Sequence, residues 1–254
     1  TPEGEFLDLE DKNVTPDHLR LLCQAGETLQ GVKQLDLGNN GLGDAEIEFL
    51  SKSRCLPSLE KLFLNHNKIS NAGAKTLAES KLVQNISCLM LEANQIGVNG
   101  AQSFATSLNL KNLETLFLDS NPIGPEGAEA LARSTCLPSL TALHMDSTGI
   151  GDQGVKAIAA SQTLSKIEKL YLCSNKIGDE GAIALSQSPN LSHLTCLSIW
   201  RNEIRDAGGK AIAESNHFLK LERLYMSLNL IEKPTRKLIR ASDMASRLKT
   251  LVMD

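Results

Sequence analysis

A chain of 254 residues, 41% of them hydrophobic, carries enough apolar side chain for the core of one or two domains. Its formal charge of −4 argues against general affinity for nucleic acid or an anionic membrane, and no apolar run approaches the roughly 18 residues of a membrane span. The six cysteines (Cys23, Cys55, Cys88, Cys136, Cys173 and Cys196) form no CxxC, and no His pair stands at metal-ligand spacing. Free thiols in a reducing, cytoplasmic compartment are therefore expected, with no metal and no cofactor.

Residues 1–31 read as a degenerate first repeat or N-terminal cap, with Leu7, Leu9 and Val14 in core positions and seven acids against two bases over residues 1–27. From Val32 a strict period begins. Leu59–Leu64 reads LEKLFL, followed by Asn67 and Ile69; 27 residues on, Ile86–Leu91 reads ISCLML, followed by Asn94 and Ile96. The phase holds at Leu113, Leu140, Ile167, Leu194, Leu221 and Leu248, giving eight full units over residues 32–247. Residues 248–254 open a ninth repeat or form a truncated C-terminal cap. Because residue 1 is Thr, a fragment or trimmed chain is expected.

Within each unit, apolar residues at the first, fourth and sixth places predict a short strand with alternate side chains turned inward. The ninth place is Asn in seven of eight units, and an inward amide there can bond the backbone groups freed as the chain leaves the strand. Thr148 breaks this column and is expected to weaken the ladder locally. The second half of each unit turns to helical spacing, as in Ala74/Leu77/Ala78, Ala128/Leu131/Ala132, Val155/Ile158/Ala159 and Ala182/Leu185/Ser186. Asp44, Asn71, Asp152, Asp179 and Asp206 stand at or just inside helix starts, where they are expected to cap free N–H groups or oppose the helix dipole. Unit eight departs from the pattern: Lys233–Pro234 opens its helix, which Pro permits, and Arg236 and Arg240 fall on the apolar stripe.

The pattern LxxLxLxxNxIGxxGAxxLA, as in Leu113 to Ala132, resembles the ribonuclease-inhibitor-like class of leucine-rich repeats. Ribonuclease inhibitor, the repeat domains of NOD-like receptors and the Ran GTPase-activating protein are in that class, and similar repeats occur in effectors of intracellular bacteria. The resemblance covers residues 32–254. It implies an α/β fold, a right-handed leucine-rich-repeat solenoid or horseshoe of about nine repeats, with a concave parallel β-sheet and convex helices. It also implies a monomer that binds one protein partner on the concave surface, as an inhibitor or regulator of an enzyme. An effector of this kind would be translocated into the host cytosol and act on another effector or a host protein. The uniform 27-residue unit and the small number of cysteines depart from ribonuclease inhibitor, which puts a shared target in doubt.

Binding residues must stand where the repeat leaves side chains free: the third, fifth, seventh and eighth places. The fifth-place column runs Asp36, Phe63, Met90, Phe117, His144, Tyr171, Ser198, Tyr225, and the seventh adds Glu92, Asp119, Asp146, Cys173 and Trp200. Five of the nine aromatic residues fall here, including the single Trp and both Tyr. Outward aromatics can also complete cross-strand packing, a reading that applies first to Phe63 and Phe117. Charges are sorted along the face: Asp36, Glu92, Asp119 and Asp146 precede Lys169, Arg201 and Arg223. The expected partner-binding set is Phe63, Met90, Glu92, Phe117, Asp119, His144, Asp146, Lys169, Tyr171, Cys173, Trp200, Arg201, Arg223 and Tyr225.

No catalytic motif accompanies these residues, and no enzyme activity is expected. His144, near Asp119 and Asp146, reads first as a contact residue, with titration near neutral pH as the alternative, and Cys173 is expected to face the concavity beside Tyr171. Two alternatives follow from the resemblance. One is GTPase activation of the Ran-activator type, for which Arg205 stands where five other units have Gly. The other is the ligand-sensing repeat domain of an innate immune receptor.

Overall fold

The computed structural model describes residues 4–254, so the first three residues of the N-terminal repeat lie outside it. The chain forms two compact units. One runs to Pro122 and includes Ser134–Leu140; the other comprises Ile123–Arg133 and Thr141–Asp254.

In the first unit, β1 (Phe6–Asp8), β2 (Gln34–Asp36), β3 (Lys61–Phe63), β4 (Cys88–Met90) and β5 (Thr115–Phe117) pair in parallel and in sequence order. Between them run α1 (Pro16–Gln24), α2 (Asp44–Ser51), α3 (Asn71–Glu79) and α4 (Val98–Ala105). The second unit opens with α5 (Gly124–Ala132) and repeats the scheme. Its strands are β6 (Ala142–His144), β7 (Lys169–Tyr171), β8 (Cys196–Ser198), β9 (Arg223–Tyr225) and β10 (Thr250–Val252), again parallel and in order. Its remaining helices are α6 (Gly151–Ala160), α7 (Asp179–Ser186), α8 (Asp206–Ala213), α9 (Lys233–Arg240) and α10 (Asp243–Arg247).

The strands are three residues long, and the middle one carries the core. Leu35, Leu62, Leu89 and Leu116 in the first unit, and Leu143, Leu170, Leu197 and Leu224 in the second, are each 0% exposed. Each such side chain contributes about 1.5–3 kcal/mol by leaving water. The register sets them side by side, Leu62 against Leu89 and Leu170 against Leu197, because the 27-residue phase never slips. The helices, of five to ten residues, are too short to persist alone and hold by stacking their small-residue stripes.

Three hydrogen-bond ladders tie successive repeats together. The first is the expected asparagine ladder. The Asn67 amide donates to the carbonyls of Leu64 and, one repeat back, Leu37, both at 3.0 Å, and its Oδ1 accepts the Leu42 N–H at 2.9 Å. In the second unit Asn175, Asn202 and Asn229 repeat the scheme. At Thr148 the ladder is thinned rather than broken. Its hydroxyl donates to the Met145 carbonyl at 2.7 Å, and Asn175 Oδ1 accepts the N–H groups of Thr148 and Gly149. One O–H replaces an amide's two N–H donors, and in the following turn Gly149 and Gly151 both take positive φ (71° and 55°).

The second ladder corrects an expectation. Asp44, Asn71, Asp152 and Asp179 do not cap their own helices; each caps the helix of the next repeat. Asp44 Oδ1 accepts the N–H groups of Ser70 and Gly73, and Asp179 Oδ1 those of Arg205 and Gly208. Asp206 likewise accepts from Glu232. Stacking sets these helix starts within reach of the side-chain oxygen 26 and 29 residues earlier, so free donors of one helix are satisfied by its neighbour.

The third ladder lies at the helix ends. Buried serines donate to a carbonyl 29 residues back: Ser80 to Ser51, Ser107 to Ala78, Ser134 to Ala105, Ser161 to Ala132, Ser188 to Ala159 and Ser215 to Ser186. At the C-terminal end α9 forms with Pro234 in its first turn, and Thr235 and Ile239 supply its buried face. Arg240 leaves the buried stripe as expected and is exposed, its guanidinium donating to the Met253 carbonyl.

Candidate protein-binding face

Because the fourth residue of each repeat points into the core, the third and fifth point away from the helices. In the first unit this produces a row of half-buried apolar side chains in register, Phe63 on β3, Met90 on β4 and Phe117 on β5. Half-buried Glu92 and Asp119 follow β4 and β5, with the Glu92 carboxylate 3.9 Å from His66 Nε2.

In the second unit the fifth-place row is His144, Tyr171, Ser198, Tyr225 and Val252. The rings of His144 and Tyr171 stack with centroids 4.1 Å apart and planes 14° apart. The alternative reading of His144, titration near neutral pH, is overturned: burial first, and then the positive charge of Lys169, push its pKa down to about 4. His144 is a neutral, stacked ring at physiological pH. Asp146 accepts the Cys173 N–H at 2.6 Å, and burial, partly offset by that bond, raises its carboxyl above the ordinary range.

Cys173 is also corrected. It is 8% exposed, its sulfur lies 3.0 Å from the Ser198 hydroxyl, and burial pushes its thiol up to about 11. A protonated thiol in that position is a packing residue, neither an accessible contact nor a nucleophile. The reason lies on the neighbouring strand. All three residues of β8, Cys196, Leu197 and Ser198, are buried although two belong to outward places. Cys196 and Ser198 are small, and larger neighbours cover them: the Cys196 thiol donates to the Tyr171 hydroxyl at 3.6 Å.

What reaches solvent is a set of larger side chains around that low strand. Trp200 is 38% exposed, Lys169 and Arg201 are exposed, and Tyr171, Arg223 and Tyr225 are half-buried. Arg201 occupies the eighth place, where every repeat takes positive φ from Asn39 to Leu228, so its side chain springs from a left-handed turn. Arg223 Nε, shielded from water, has no hydrogen-bond partner among the described residues, an omission worth about 1–3 kcal/mol. The phenol of Tyr171 is pushed up to about 12, chiefly by burial, and is a neutral hydroxyl.

Leu228, 55% exposed, and Val252, 41% exposed, extend the apolar surface beyond the residues expected from sequence. Leu228 had a legible signal: it ends a column whose other members are Asn39, His66, Ala93, Ser120, Ser147, Ser174 and Arg201. Arg205 is exposed at the start of α8, where its backbone rather than its guanidinium is engaged. Among the described residues no group of three or more His, Cys, Asp or Glu side chains is arranged to hold a metal ion. Nor, among them, is any helix long and apolar enough to cross a membrane.

A family model described as Leucine Rich repeat matches residues 55–78, 109–132, 136–159, 163–186 and 190–213. The last four segments start 27 residues apart, in phase with the strands, and the first starts two periods earlier. These five segments are leucine-rich repeats, and the other units keep their phase. Such repeats generally mediate protein–protein interaction and are typically non-enzymatic binding modules. No curated protein matches the chain.

Proposed function

We propose that this leucine-rich-repeat chain is a protein-binding module that engages one partner through the outward face of its strands, and regulates an enzyme by covering it. The supporting observation is the second unit's face. There both Tyr stand on β7 and β9, flanking the low strand β8, and the only Trp follows β8, beside the cations Lys169, Arg201 and Arg223. Tyr, Trp and Arg are the side chains that dominate interface energetics, and each aromatic brings roughly 150–250 Å² of buryable surface. Phe63, Met90 and Phe117 supply an apolar row of the same kind in the first unit, with Glu92 and Asp119 beside it. The charged residues orient a partner and speed its encounter more than they add affinity.

The test is capture of partners by the intact protein beside the Tyr171→Ala/Trp200→Ala variant, with circular dichroism to verify folding. Loss of a captured protein from the folded variant supports the face; retention of every captured protein by it rejects the face.

A further inference from the structure

The outward face around β8 holds one buried hydrogen-bond donor without an acceptor among the described residues, Arg223 Nε. The register places Lys169, Cys196 and Arg223 side by side on β7, β8 and β9, so the two cations stand two strands apart, about 9–10 Å between backbones. Cys196, small and 1% exposed, lies between them. Tyr171 accepts the Cys196 thiol proton, which leaves its own O–H directed elsewhere. Arg223 Nε has no partner among the described residues. The acid next to it in sequence, Glu222, pairs with Lys249 at 2.8 Å and interacts with Arg223 through charge but not through a bond to its Nε. Asp146, the acid after β6, accepts the Cys173 backbone N–H.

We propose that Arg223, assisted by Lys169 and the Tyr171 hydroxyl, is the anchor for a carboxylate of the partner: an Asp or Glu side chain on a segment lying across β7–β9. This rests on the binding-face reading above and names the chemistry the face selects. A guanidinium edge presents two parallel N–H donors that match the two oxygens of a carboxylate. Turning Arg223 outward onto that group relieves its unpaired N–H, so engagement and satisfaction of the donor go together. Lys169 supplies a second positive charge, and Tyr225 with Trp200 supplies apolar walls for the residues flanking the acid.

The test pans a displayed library of random nonapeptides against the full-length chain, then makes the recovered peptides synthetically. Asp or Glu should be enriched. Converting that acid to its amide should weaken binding at least tenfold, as should Arg223→Gln. The two changes together should weaken it little more than either alone, since both remove one interaction. Lys169→Gln should weaken binding several-fold, and circular dichroism verifies that each variant is folded. Recovery of non-acidic peptides, losses that simply multiply, or tighter binding of a phosphoserine analogue would overturn the carboxylate anchor. Non-acidic peptides that nevertheless fail to bind Tyr171→Ala/Trp200→Ala would overturn the anchor and leave the binding face standing. Recovery of no peptide sensitive to that double variant overturns both.

Discussion

The carboxylate of Asp179 accepts the backbone N–H of Gly208 at 2.7 Å and fills the space that a side chain at 208 would need. A Cβ built on Gly208 would lie 2.7 Å from Asp179 Oδ1, 2.8 Å from Ile204 and 2.9 Å from Ala182. The same interlock joins Asp44 to Gly73, Asn71 to Gly100 and Asp152 to Gly181. The glycine three residues into these helices is thus explained by the neighbouring repeat's cap rather than by its own backbone.

Gly208→Ala should therefore destabilise the protein by about 1–3 kcal/mol through overpacking. Helix propensity alone predicts the opposite sign, a gain of about 1 kcal/mol. Urea unfolding of the variant checks the sign. Asp179→Ala, which strands two N–H groups, should cost about 1–3 kcal/mol, and the double variant less than the two losses added.

The serine ladder predicts that Ser188→Ala lowers stability by about 1 kcal/mol, since the buried hydroxyl bonds the Ala159 carbonyl at 2.5 Å. Ser165, exposed in the preceding repeat, should change stability by less than about 0.5 kcal/mol on conversion to Ala. Comparing the two unfolding midpoints separates ladder position from residue type.

His144 provides a pH prediction. Its folded pKa, about 4, lies below the ordinary 6.5, so between those values the unfolded chain binds the proton that the folded chain refuses. Stability from this group is fully present above pH 6.5 and falls as pH drops towards 4. Asp146, whose folded pKa is raised, contributes in the opposite sense as it protonates. The informative quantity is thus the difference between wild type and His144→Phe: wild type should lose stability relative to the variant as pH falls from 6.5 to 4. Parallel curves, or a His144 ring resonance titrating near pH 6.5, would show that the stacked ring is not desolvated.

Arg223→Met should leave stability unchanged or raise it by up to about 1 kcal/mol, because it keeps the apolar stem and removes an unpaired buried donor. A clear loss in thermal unfolding would mean that Arg223 holds the fold rather than awaiting a ligand.

The core and the first ladder were readable from residue order because both obey a 27-residue phase: Leu62, Leu170 and Asn67 repeat a pattern whose inward direction follows from strand alternation. The serine column at 80, 107, 134, 161, 188 and 215 keeps the same phase and was legible, although serine identity alone does not distinguish a buried ladder from a solvated turn. The Asp-to-next-helix caps were not legible, since they depend on how far one helix sits above another. Cys173 and Ser198 were assigned to an outward place and are nevertheless buried. Exposure on a sheet face depends on the size of neighbours on adjacent strands, here Tyr171 over Cys196, which a column read one residue at a time omits. The depressed pKa of His144 has the same origin: the flat contact with Tyr171 arises only when β6 and β7 are set side by side.

The emission of Trp200, the single tryptophan, reports on the binding face directly. Titrating the full-length chain with its captured partner should shift that emission to shorter wavelength, saturating at the midpoint measured by calorimetry, and Trp200→Phe should abolish the signal. Emission unchanged at calorimetric saturation would contradict the claim that this face holds the partner.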